Sequence, residues 1–226
     1  MKLLRNLLFV TFLTHAGAAS GQSVGVFLPW IYETKELVAS MKSDPVLAKA
    51  DIMVFQKLED FQLASTSKPF DIAILPASYG RYNSTYVEKV PLVPKSGEKS
   101  FKHLVVSFKK EAPADFSVGV IDEVGRKNLR KWMKEVCSRC GKQKDVKKAK
   151  DLYNMLALGS VDAIMVSPFN LEAIKRESAA ELFVLFTAEP ENQPMIYVPK
   201  GGNFKGLENI KPSTFSPLGL KVGAGK

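Results

Sequence analysis

Residues 147–170 read KKAKDLYNMLALGSVDAIMVSPFN, and the fold is decided there. Ala149, Leu152, Tyr153 and Leu156 recur at the spacing of one helical face. Gly159 follows the last periodic residue, where a helix commonly ends in the left-handed conformation that glycine enters without a Cβ clash. The run VDAIMV at 161–166 is too short and too apolar for a surface helix, which predicts a strand covered on both faces. Ser167 and Pro168 then suit the N-cap and first position of a further helix.

Upstream the same alternation recurs. Residues 24–28 (VGVFL), 52–55 (IMVF) and 70–75 (FDIAIL) read as strands. Helices are expected from Thr34, after Asp44-Pro45 and around residues 60–64. Residues 76–80 (PASYG) read as a loop, and residues 81–100 as polar and proline-bearing. A strand is expected at 103–108 (HLVVSF), followed by a charged link between lobes at 109–115. A second series opens with SVGVI at 117–121, the loop 122–125 and a helix from Arg126. After a lysine-rich loop come the helix and strand of 147–170, then a strand at 182–186 and a polar return. Residues 195–199 (MIYVP) would rejoin the first sheet. Strands and helices at this spacing predict an α/β protein of two lobes, with mostly parallel sheets flanked by helices. The tail beyond Gly201 has Phe204, Leu207, Ile210 and Leu218 as its anchors.

The N-terminus adds a compartment. Lys2 and Arg5 precede the apolar run 7–13 and the small residues of 15–19, the pattern of a cleavable secretory signal over residues 1–19. The run is far short of the roughly 20 residues that cross a bilayer. No cysteine follows it to carry a lipid. A soluble periplasmic protein without stable membrane insertion is expected, with 20–108 and 188–226 as lobe 1 and 109–187 as lobe 2. The leader takes Lys2 and Arg5 and no acid, so the formal net charge of +9 falls to +7. Most of that excess is concentrated in residues 126–150, which is a solvated face, a docking face for an acidic partner, or a means of attracting an anionic ligand. The aromatics are not interleaved with the basic run, so nucleic acid is not an expected partner. Cys137 and Cys140 are the two cysteines of the chain, spaced C-x-x-C. In an oxidising compartment they are expected to pair as a disulfide at a helix end, with a soft-metal or redox role as the alternative.

Three segments taken in order, FDIAILPASYG, SVGVIDEVGRKNL and ALGSVDAIMVSPFNL, resemble the type 2 periplasmic solute-binding proteins, in the phosphate/phosphonate-binding (PhnD-like) branch of ABC transporter substrate-binding proteins. The resemblance spans residues 24–199. It implies a ligand cleft between two lobes, the loop after the strand 161–166 facing it, and an inner-membrane transporter or sensor as partner.

Ligands of parallel α/β sheets lie beyond the carboxyl ends of the strands. That rule selects Trp30 and Tyr32 after the first strand, and Ser78 and Tyr79 after the third. In the second lobe it selects Asp122 and Arg126, then Ser167 and Asn170. Six of them have an alternative: Trp30 as a plug of the lobe, Ser78 and Tyr79 in turn chemistry, Asp122 and Ser167 as caps, and Arg126 pointing outward from its helix. Asp122 in the cleft would favour a cationic ligand, and Arg126 an anionic one. No hydrolase elbow, zinc-protease helix, phosphate loop or dinucleotide signature occurs, and no cofactor is expected. His103, inside an apolar stretch, reads as structural. The sequence therefore predicts a monomeric, non-catalytic protein that closes over a small polar ligand, a phosphonate-like anion or another polar solute. The alternatives are an interaction protein docking a membrane partner through its basic face, and a metal or redox factor using Cys137 and Cys140.

Overall fold

The computed structural model describes residues 21–30, 34–95, 101–189, 192–202 and 204–224. The predicted leader and Tyr32 lie outside them. Two sheets organise the chain. The first contains β1 (Ser23–Phe27), β2 (Asp51–Phe55), β3 (Ile72–Pro76), β4 (Tyr86–Pro94), β10 (Pro194–Pro199) and β11 (Leu220–Val222). The second contains β5 (Leu104–Ser107), β6 (Val118–Ile121), β7 (Gln143–Val146), β8 (Ala163–Val166) and β9 (Phe183–Thr187). Helices α1 (Thr34–Lys42), α2 (Leu58–Ser67) and α3 (Ala77–Tyr82) accompany the first sheet. The helices α4 (Arg126–Val136), α5 (Ala149–Ala157) and α6 (Pro168–Glu177) accompany the second.

The strand orders are β11-β4-β10-β3-β1-β2 and β7-β6-β8-β5-β9. In each, the lobe's first strand lies between its second and third, parallel to both. Next comes a strand arriving from the other lobe, β10 or β5, which runs antiparallel to both of its neighbours. Such a strand enters its sheet from the hinge side, so it must run against the βαβ strands. The sheets are accordingly mixed, where mostly parallel ones were expected.

Both faces of each sheet are covered. Along β1, Val24 and Val26 join the cluster of Leu37, Met41 and Phe215, while Phe27 joins Phe61, Phe70 and Tyr79 on the other face. That is the two-residue alternation of a strand. In the second sheet Trp132 and Met133 of α4 pack one face, and Leu152 and Leu156 of α5 the other.

The deciding stretch folds as read. Helix α5 buries Ala149, Leu152 and Leu156, and Gly159 has φ +65°. Ser167 caps α6, its hydroxyl accepting the Asn170 N–H, with Pro168 at the first position. The aspartate of VDA has a structural task. Asp162 Oδ2 accepts the Ser117 N–H at 2.8 Å and the Ser117 hydroxyl at 2.7 Å, tying β6 beside β8. The Ser117 N–H, then its hydroxyl, hold that carboxyl below its usual range. Lobe 1 repeats the device: Asp71 Oδ2 accepts the Ser23 N–H at 2.8 Å and the Ser23 hydroxyl at 2.9 Å. SVGVF at 23–27 and SVGVI at 117–121 are thus equivalent strands, each locked by the aspartate that precedes its lobe's third strand.

Several expectations need correction. Strand β5 lies in the second sheet, so the chain has already passed between the sheets before Leu104, and 109–115 is a surface turn within the second lobe. An apolar LVVS run suits either sheet, and the charged stretch after it drew the boundary too late. Residues 86–94 form a nine-residue strand between β10 and β11, disguised by Glu88, Lys89 and two prolines. The lysine-rich stretch contains β7, whose polarity fits its place at the sheet edge. Residues 77–82 are a short helix rather than a loop. Residues after Asp44 form i→i+3 turns instead of a helix, because Asp44 Oδ1 takes the Val46 N–H at 2.9 Å. Of the expected tail anchors, Leu207 and Ile210 are buried and Phe204 and Leu218 pack against the same core. Phe215 and Leu220, which were not among the expected anchors, are fully buried.

Candidate functional site

The two crossings run side by side. Ala188 N–H donates to the His103 carbonyl at 2.7 Å, and Asn192 N–H donates to the Phe101 carbonyl at 3.1 Å. This paired hinge leaves the segments that follow β1 and β3 facing those that follow β6 and β8. Two constructions fill the boundary between them.

The first centres on Glu123, in the loop between β6 and α4 and only 3% exposed. Its Oε2 accepts the Ser78 hydroxyl of lobe 1 at 2.9 Å and also the Asn192 side-chain amide. Its Oε1 lies 3.1 Å from His103 Nε2. Asn192 Oδ1 in turn accepts the Ser78 N–H at 2.6 Å. One carboxylate of lobe 2 is therefore held by lobe 1 and by both hinge crossings, with every partner itself buried.

The second is aromatic. Trp30, after β1, stacks on Phe169 of α6 with ring centroids 5.9 Å apart and an interplanar angle of 16°. Phe101 of the hinge meets Phe169 at 5.6 Å. Among the described residues three buried side-chain polar atoms have no hydrogen-bond partner: the indole Nε1 of Trp30, Oδ1 of Asn170 (the residue after Phe169), and the indole Nε1 of Trp132 in α4. A buried polar group left unpaired costs about 1–3 kcal/mol.

At the rim, Glu59 of α2 receives Lys147 and lies 4.0 Å from Arg126 Nε. The Lys147 hydrogen bond is the main reason the Glu59 carboxyl sits below its usual range. Tyr82 donates to Glu135 of α4. Burial first, then that bond, push the phenol up to about 12. Between these rim contacts lies a cavity of about 380 Å³, lined by Glu59, Gln62 and Asn83 from one lobe and Asp122, Gly125 and Asn128 from the other.

No family profile matches the chain, and no curated protein matches it by sequence. Solved structures do. Arginine-bound ArgBP from T. maritima, a glycine-to-alanine mutant, superposes with a TM-score of 0.59 at 15% identity, over 88% of this chain and 96% of that one. The GluR0 ligand-binding core from Nostoc punctiforme, in complex with L-glutamate, gives 0.57 at 12% over 86% and 92%. The periplasmic sensor of the Borrelia burgdorferi hybrid histidine kinase Hk1 gives 0.54 at 16% over 89% and 98%. The fold is that of a two-lobed, type 2 periplasmic binding protein.

In that fold the expected site residues divide. Trp30 and Ser78 make contacts between the lobes, and Asn170 is buried in the first turn of α6 beside Phe169. Tyr79 turns into the core of lobe 1, edge-on to Phe61 at 5.7 Å; burial raises its phenol, and a hydrogen bond with Gln62 pulls the other way. Asp122 Oδ1 accepts the Val124 N–H at 3.1 Å and the Gly125 N–H at 2.7 Å, so it shapes the turn before α4. Its carboxyl is raised by burial, against those two amide bonds. Arg126 is 72% exposed at the rim beside Glu59. Ser167 is engaged as the cap of α6.

Glu123, Asn192 and Phe169 were not singled out from the sequence. A buried glutamate beside the capping Asp122 carries no local signal, and Asn192 sits in an unremarkable polar return. His103 is structural, though it stands in the hinge, just before β5, rather than within the strand.

Cys137 and Cys140 form a disulfide at the end of α4, with Cα atoms 5.4 Å apart. Beside it opens a cavity of about 690 Å³ whose charged lining residues are Arg130, Lys134, Lys142 and Lys144. Among the described residues no group of three or more His, Cys, Asp or Glu is arranged to hold a metal, and no helix is long and apolar enough to cross a membrane.

Proposed function

We propose that this protein is a non-catalytic, periplasmic solute-binding protein whose lobes close over a small polar ligand, for a membrane transporter or sensor. The observation that carries this reading is the pair of unpartnered buried atoms, Trp30 Nε1 and Asn170 Oδ1. Trp30 follows β1 and Asn170 stands in the first turn of α6, just beyond β8. Ligands of parallel α/β sheets lie beyond such strand ends, and a solute with both an acceptor and a donor would satisfy the two atoms. Contacts made to both lobes exist only in the closed state, so binding shifts the population towards it. The neighbours in fold support the reading from two sides: some are solute receptors or ligand complexes, others periplasmic sensors.

The test is a thermal-shift panel of phosphate, methylphosphonate, L-arginine, L-glutamine, glycine betaine and glycerol. A solute at about 100 times its Kd stabilises by roughly 2.7 kcal/mol, which is a rise of roughly 5–10 °C in Tm for a chain of this size. One such rise supports the reading. A flat response to the whole panel counts against it and favours the partner-docking alternative. The observation on that side is the cavity beside the disulfide, where Arg130, Lys134, Lys142 and Lys144 gather without an acidic lining residue.

A further inference from the structure

We infer that Glu123 is a ligand carried by the chain itself: its carboxylate fills the anion position between the lobes, so the cleft closes without an anionic solute and accepts only uncharged or cationic ones. The inference rests on the solute-binding reading above and names the solute class.

The geometry is that of a bound carboxylate. A hydroxyl, a side-chain amide and an imidazole nitrogen converge on its two oxygens, and they come from lobe 1 and from both crossings of the hinge. The Asn192 amide is oriented by the Ser78 N–H, so one group that grips the carboxylate is itself fixed by lobe 1. These are contacts that an external anion would have to make in order to draw the lobes together. A tethered group competes at an effective concentration in the millimolar range, and a free anion must displace it. With the anion position taken, Asn170 Oδ1 and Trp30 Nε1 remain to be satisfied. An uncharged or cationic solute with an N–H or O–H group can serve Asn170, and its own oxygen can serve the indole.

The experiment removes the tethered carboxylate and supplies it from solution. Wild-type protein and Glu123→Ala are compared by small-angle scattering and thermal melts, in sodium acetate and in sodium chloride at equal ionic strength. The wild type is expected to be compact, near the radius of gyration of about 17 Å for a folded chain of this length, and indifferent to acetate. Glu123→Ala is expected to show a larger radius and a lower Tm. Acetate at roughly 100 mM, far above the millimolar range of a tethered competitor, should restore both, while chloride should not. A Glu123→Ala protein that stays compact with an unchanged Tm overturns the inference, and so does one that opens but ignores acetate. Should that variant fail to fold, Glu123→Ser vacates the anion position while keeping a hydroxyl beside the groups left behind. It is then expected to gain a thermal shift with phosphate or methylphosphonate that the wild type lacks, and a wild type that already responds to either anion overturns the inference. If no solute stabilises the wild type yet acetate rescues Glu123→Ala, the solute-binding reading fails and the internal carboxylate stands. If a solute stabilises the wild type but acetate does not rescue the variant, solute binding stands and the internal carboxylate fails.

Discussion

Phe61→Ala is expected to cost about 4–5 kcal/mol of stability, the upper end of the range for truncating a buried Phe. Phe61 is fully buried on the inner face of α2, and five aromatic rings surround it. Phe70 is stacked at 5.5 Å, Phe55 meets it edge-on at 5.6 Å, and Tyr79 edge-on at 5.7 Å. Phe27 and Tyr86 close the ring at 6.5 and 6.2 Å. Its neighbours come from β1, β2, β4, α3 and the approach to β3, so no single backbone shift can refill the void. Loss of transfer energy and an uncollapsed cavity therefore add. Urea unfolding should show a lower midpoint with an unchanged slope. Leu63, two residues along the same helix and 77% exposed, is the control: Leu63→Ala should stay within about 0.5 kcal/mol of wild type. Similar losses at the two positions would mean that α2 does not present the face described.

Asp44→Ala should be nearly as damaging, about 3–4 kcal/mol, through a different mechanism. The carboxylate is 1% exposed and joins two distant parts of lobe 1. Oδ1 accepts the Val46 N–H at 2.9 Å, while Oδ2 accepts the Lys211 N–H at 2.8 Å and the Thr214 hydroxyl. Alanine leaves three donors without an acceptor, in a place where water does not reach all of them. The segment so released carries Phe215 and Leu220 into the core and β11 onto the edge of β4. Limited proteolysis should cut beyond residue 205 in the variant before the rest of the chain is attacked. An Asp44→Ala protein with wild-type stability and an uncut tail would show that the tail is held by its apolar anchors alone.

What the sequence made legible was local or periodic. The Gly159 stop, the Ser167 cap and the buried face of α5 each depend on residues within a turn of one another. The order of the strands followed from their spacing, which is why the two-lobed architecture could be read. Polar strands at or near an edge, β4 and β7, escaped because they lack the apolar run that marks a covered strand. The Glu123 clasp escaped for a different reason. Its partners lie 20, 45 and 69 positions away, and nothing in a single glutamate announces that it will be buried. Trp30, Ser78 and Asn170 were selected because they follow strand ends, and in the structure Trp30 and Ser78 make contacts from one lobe to the other. Tyr79, next to Ser78, could not be separated from it by that rule, since which of two adjacent side chains faces the core is set by the α3 turn.

The measurement that bears most directly on the account is the stability of Asn170→Leu in the absence of solute, followed by its response to whichever solute stabilises the wild type. Asn170 is 1% exposed with an unpartnered carbonyl, so an apolar side chain of similar size should leave stability unchanged or raise it by about 1 kcal/mol. The solute-induced rise in Tm should disappear. A variant that loses stability but keeps its full solute response would contradict the account, because Asn170 would then be serving the fold rather than the ligand.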